Sequence, residues 1–120
     1  MPFDHERLDV YQRALEVLDL CDEILQQMPP GRAHLKDQLD RAATSIVLNV
    51  AEGAGEFSHD EKCRFYRIAR RSATEAAAIL HLVARRAHGP EDKLRAAREL
   101  LDRVVAMLVR MTKPGSLVGP

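Results

Sequence analysis

Residues 38–75 read QLDRAATSIVLNVAEGAGEFSHDEKCRFYRIARRSATE, and this stretch decides the fold. Two apolar patterns of helical period run through it, joined by the glycine-rich turn AEGAGEF. In the first pattern Leu35, Leu39, Ala42, Ile46, Asn49 and Gly53 form a seam with Ala43, Val47 and Val50 beside it. Such three-and-four spacing predicts a helix with one buried face. The second pattern follows Ser58, which stands three residues before Glu61 in the arrangement of a capping box. Its seam is expected along Phe65, Ile68, Ser72, Glu75, Ile79 and Leu82.

Working outward, the same period recurs on both sides. Tyr11, Ala14, Leu18, Cys21, Leu25 and Met28 make a seam toward the N-terminus. Val10, Val17 and Ile24 add a second row, wide enough to meet two neighbours within the chain or across a subunit boundary. Leu94, Ala97, Leu101, Val104, Leu108 and Met111 make the last seam. Pro29-Pro30-Gly31 and His88-Gly89-Pro90 break the periods, because proline lacks an amide donor and restricts the residue before it. Pro90 suits a first helical position. The expected helices are about 6–27, 32–54, 59–87 and 90–112, forming one domain over 1–113 with 114–120 as a loose tail. No strand alternation of useful length and no internal repeat is present. Four helices with short connections predict an all-α, antiparallel, up-down-up-down four-helix bundle.

Composition agrees with a single packed domain: 120 residues, 46% hydrophobic and 30% charged. Eighteen basic residues balance 18 acidic ones, so no overall attraction to nucleic acid or anionic lipid is expected. The balance conceals segregation. Residues 1–28 carry seven acids against two arginines, and residues 29–120 carry 11 acids against 16 bases. The two cysteines lack metal-type or CxxC spacing, which suits a reduced compartment. The charged N-terminus does not resemble a signal peptide, and no apolar run spans a bilayer. A cytoplasmic protein is expected, with no membrane partner and no cofactor.

Several polar residues fall on or beside the apolar stripes. Arg41, Ser45, Asn49 and Glu52 share one side of the second helix, and Ser72 and Glu75 lie on the seam of the third. A buried carboxylate needs a partner, so Glu75 is expected to pair with Arg41, with Asn49 and Ser72 completing the network. A structural role in fixing register outweighs a catalytic one, because no activated nucleophile or base accompanies these residues. Gly53 and Gly55 suit a turn or a close approach. They do not form a phosphate loop, since GxxxxGK[ST] is absent and a helix precedes them. Glu56 and His59 have E-x-x-H spacing, but the cap at Ser58 separates them, so no metal site is expected.

Lys62, Arg64, Arg67, Arg70 and Arg71 place five positive charges in ten residues, with Arg64, Arg67 and Arg71 on one face. Arg95 and Arg98 extend the charge onto the fourth helix, followed by Arg103 and Arg110. Such a face can track a phosphate backbone by releasing counterions. It can equally be a solvated surface, or pair with the acidic first helix of the same or another subunit. With no tryptophan, two tyrosines and three phenylalanines, no base-stacking platform is expected.

These residues carry a family resemblance. LDVYQRA at 8–14, QLDRAATSIVLNVAEGAG at 38–55, and then Ser58, Phe65, Ala69, Ser72 and Glu75 resemble the bacterial four-helix-bundle proteins encoded in 23S ribosomal RNA intervening sequences. The accessory variability proteins of diversity-generating retroelements are similar in fold. The resemblance spans roughly residues 3–108 and implies a bundle that assembles into a ring-like homopentamer. For the retroelement relatives it implies a basic surface engaging nucleic acid and a partner reverse transcriptase. One departure is Arg71, where the family usually has glycine before the serine. The functional expectation is a non-enzymatic, homo-oligomeric accessory module that binds RNA or single-stranded nucleic acid through the third and fourth helices. The alternative is a scaffold that docks a partner such as a reverse transcriptase and uses its basic face for assembly.

Overall fold

The computed structural model describes residues 3–86 and 88–114. Ala87, expected to end the third helix, and most of the expected tail lie outside the described residues. A 3₁₀ turn at Asp4–Arg7 leads into α1 (Asp9–Gln27), α2 (Ala33–Ala54), α3 (His59–Arg85) and α4 (Glu91–Met111). No strand occurs among the described residues. The chain is an antiparallel four-helix bundle. Each helix packs on its neighbour in sequence and α4 closes onto α1, while the diagonal pairs make no close backbone approach.

Local chemistry sets the helix limits. Ser58 Oγ accepts the Glu61 amide at 3.1 Å and starts α3. The reciprocal half of the capping box is not made, because the Glu61 carboxylate turns to Arg64 at 3.3 Å. Pro90 sits one position earlier than expected, as the extended residue before α4. Between α1 and α2 the backbone passes through Gly31 at φ 98° and Arg32 at φ 56°. Glycine takes the left-handed region without steric cost, and Arg32 follows it there as the residue before α2.

The core differs from the expected seams in two helices. On α1 the row Val10, Val17 and Ile24 is buried at the centre of the chain's own core, while Tyr11, Leu18 and Leu25 flank it. The second row is therefore not spare surface for a neighbouring subunit. On α3 the buried stripe is Cys63, Tyr66, Ala69, Ala73, Ala76, Leu80 and Val83, together with Ile79. Phe65, Ile68 and Ser72 are half-buried, and Glu75 and Leu82 are exposed. The alanines explain this rotation. They contribute little to a hydrophobic pattern, yet they let α3 lie close to the small residues Ala42, Ala43, Gly53 and Ala54 of α2. Phe65, Ile68 and Leu82 are left at the sides of the buried stripe.

Gly53 shows how close the two helices come. A methyl group there would stand 2.6 Å from Tyr66 Cε1 and 3.2 Å from the Lys62 carbonyl oxygen. Tyr66 is the largest fully buried side chain and cannot swing away. Overpacking of this kind costs ~1–3 kcal/mol, against roughly 1 kcal/mol of helix propensity gained by replacing glycine with alanine. Gly53→Ala is therefore expected to lower stability and the thermal midpoint. Denaturant unfolding checks this, and a variant as stable as the parent would contradict the packing described.

Candidate nucleic-acid interface

The packing of the α3 alanines against α2 decides which way the basic residues of α3 face. Arg64, Arg67 and Arg71 are exposed, one helical turn or two apart on one face. Arg67 and Arg71 make no ion pair among the described residues, and neither does Arg98. Arg71 is exposed, so its charge is added without crowding the bundle. Arg70 is half-buried at the side of this face.

The other basic residues are partly engaged. Arg64 is held by Glu61 and lies over the Phe65 ring, 4.5 Å from its centroid, a cation–π arrangement that covers the ring. Lys62 Nζ donates to the Ala54 carbonyl at 3.1 Å and to Gly53 at 3.5 Å. It closes the C-terminus of α2, which has no basic residue in its own last turn. Lys62 thus serves the fold and is drawn off the expected interface. Arg95 pairs with Glu91 at 3.5 Å. Arg95 and Arg98 border a groove of about 610 Å³ between α3 and α4, floored by Ala77, Ala84 and Leu94. Glu91, Glu99 and Asp102 line the same groove, so α4 presents mixed charge where α3 presents positive charge.

The expected polar network divides in two. Ser45 Oγ and Ser72 Oγ lie 2.8 Å apart, joining α2 to α3. The Asn49 side-chain amide donates to Ser45 Oγ at 3.0 Å and to the Ser45 carbonyl at 2.9 Å. Arg41 and Glu75 do not join them. Arg41 pairs with Asp37 at 3.2 Å on its own helix, and Glu75 and Glu52 are exposed. The reason is the rotation of α3, which carries Glu75 into solvent and removes any need for a buried counter-charge. Among the described residues no charged side chain is buried.

The chain belongs to a recognisable class: a small all-α bundle with an acidic first helix and an arginine-rich third. It is a member of the 23S rRNA-intervening sequence protein family, whose model matches residues 6–110. No curated protein matches the chain. Among solved structures it is similar to a protein of unknown function from the S23 ribosomal protein family of Bacteroides thetaiotaomicron. The two are 19% identical, with a TM-score of 0.75, over 87% of this chain and 98% of that one. That likeness shows the shared fold. No helix among the described residues is long and apolar enough to cross a membrane.

Two buried groups lie outside this face. Burial, with Asp22 and Asp40 nearby, pushes the Cys21 thiol up to about 12. Burial, with Cys63 close by, pushes the Tyr66 phenol up to about 12. Both groups are neutral in the folded chain over a range where the unfolded chain already ionises, starting near 9.0 for the thiol and 10.0 for the phenol. Their stabilising contribution is whole below about pH 9 and disappears as pH rises toward about 12. A urea midpoint that declines from pH 9 upward is expected, with a shallower onset in Cys21→Ala. For the network, Ser72→Ala should cost about 1 kcal/mol, and Glu75→Ala should stay within ~0.5 kcal/mol of the parent. A large loss in Glu75→Ala would restore the buried pair that this packing excludes.

Proposed function

We propose that the chain is a non-enzymatic, homo-oligomeric accessory module that binds RNA or single-stranded nucleic acid in the cytoplasm. The observation that carries the reading is the exposed face of α3, where Arg67 and Arg71 are free of ion pairs among the described residues beside Arg64. A guanidinium without an internal partner is available to a phosphate oxygen and releases a condensed counterion on binding. Arg98 adds to the same field from α4, and Arg70 from the side of α3. Arg95 contributes less because Glu91 already holds it. The family's connection with 23S rRNA intervening sequences agrees with an RNA ligand. The resemblance to retroelement accessory proteins agrees with a homopentameric ring.

A second reading is a scaffold that docks a partner protein such as a reverse transcriptase. Val10, Val17 and Ile24 no longer support it, since the chain's own core buries them. Its support is now Leu48 on α2 and Leu82 on α3, which are 58% and 45% exposed.

Binding to a structured RNA, a single strand and a matching DNA duplex across a salt series separates these readings. For the first, affinity falls linearly in log salt. Arg67→Ala with Arg71→Ala then weakens all sequences alike and lowers the slope by about 1.5 to 2. Unchanged binding in that double variant removes this face from the interface. No binding by the parent at low salt favours the scaffold.

A further inference from the structure

The outer surface of α2 and α3 carries two stripes that the chain itself leaves uncovered. On α2, Arg41, Leu48 and Glu52 are exposed and lie within about 40° of one another at ~100° per residue. On α3, Arg64 and Glu75 are exposed and Ile68 is half-buried, and these three span a similar arc on the flank toward α2. Glu52 and Glu75 make no ion pair among the described residues. Arg41 and Arg64 are held only by an acid on their own helix, Asp37 and Glu61.

The Ser45–Ser72 contact fixes which residues of the two helices stand level. Four residues back along α2, Arg41 is level with Ala76, next to Glu75. Three residues forward, Leu48 is level with Ala69, next to Ile68. Seven residues forward, Glu52 is level with Phe65, next to Arg64. The offset is the same single residue each time, ~1.5 Å of helix rise. Read at matching levels, α2 runs base, leucine, acid while α3 runs acid, isoleucine, base. His34 and Leu82 continue the two stripes one heptad further, with the same offset. A seven-residue repeat is the mark of a helix–helix seam.

We propose that these stripes are the contact between copies of this chain, with α2 of one copy lying along α3 of the next. The copies are related by rotation about an axis parallel to the helices. Such a rotation keeps every residue at its own level and can close on itself. Arg41 then meets Glu75 of the next copy, Leu48 meets Ile68, and Glu52 meets Arg64. The other pairings do worse. Parallel α2 on α2 opposes like charges. Antiparallel α2 on α2 matches Arg41 to Glu52 only by setting Leu48 opposite Ser45. Antiparallel α3 on α3 matches Arg64 to Glu75 only by setting Ile68 opposite Arg71. Exposed ion pairs add little affinity, so the Leu48–Ile68 contact supplies it and the charges choose register and partner. Arg67 and Arg71 lie beyond the α3 stripe, away from α2, and stay open to a polyanion. The inference rests on the homo-oligomeric reading above and names the surfaces such an assembly joins.

The test is sedimentation velocity of the full chain over a concentration series, without nucleic acid. The parent is expected to associate. Arg41→Glu and Glu75→Arg should each weaken association about tenfold or more, because like charges then face each other across the contact. Leu48→Asp should do the same. The double variant Arg41→Glu with Glu75→Arg should recover the parent's association, which a merely structural loss would not do. All of these positions are exposed, so the variants are expected to keep the parent's helical signal. A monomeric parent would overturn both this contact and the homo-oligomeric reading. A parent that associates but ignores the single variants, or a double variant that does not recover, would overturn this contact and leave that reading standing.

Discussion

The bundle depends on α2 and α3 lying close enough for a glycine on one to face a tyrosine ring on the other. Gly53 and Tyr66 mark this approach at the turn end, and Ser45 and Ser72 mark it further along. Moving back along α2 from Gly53 to Ser45 moves forward along α3 from Tyr66 to Ser72, so both contacts hold one antiparallel register. Small residues on both helices allow it, and the buried tyrosine fills the space the glycine leaves. Once α2 and α3 are set, α1 and α4 cover the open side and close on each other.

The same constraint orients the outer surface. Because alanines share the inner side of α3 with Tyr66, Ile79, Leu80 and Val83, Phe65, Ile68, Leu82 and the charged residues face outward or sideways. Arg64, Arg67 and Arg71 are presented together because the register leaves that face unopposed. Lys62 is the exception, drawn inward to close α2. A packing requirement and the distribution of positive charge thus have one origin.

Much of the architecture was legible in the sequence because proline, glycine and the Ser58 cap punctuate strong helical periods. α4, whose core residues are mostly leucine and valine, was read residue for residue from Leu94 to Leu108. α3 was harder. Phe65, Ile68 and Leu82 dominate a hydrophobic count, while Ala69, Ala73 and Ala76 carry the close contact. That substitution of bulk for proximity also produced the expectation of an Arg41–Glu75 pair. The link from Ser45 to Ser72 could be suspected from the stripes but not distinguished from its neighbours.

The ion pairs have a practical consequence. Lys93 to Glu23, at 2.8 Å, joins α4 to α1, and the other pairs among the described residues stay within a single helix. The helices are held together by apolar packing, which concentrated salt does not screen. Contacts from the arginine face to a polyanion are screened within a few ångströms at molar ionic strength. A concentrated-salt wash should therefore strip any polyanion held by that face from a bundle that stays folded.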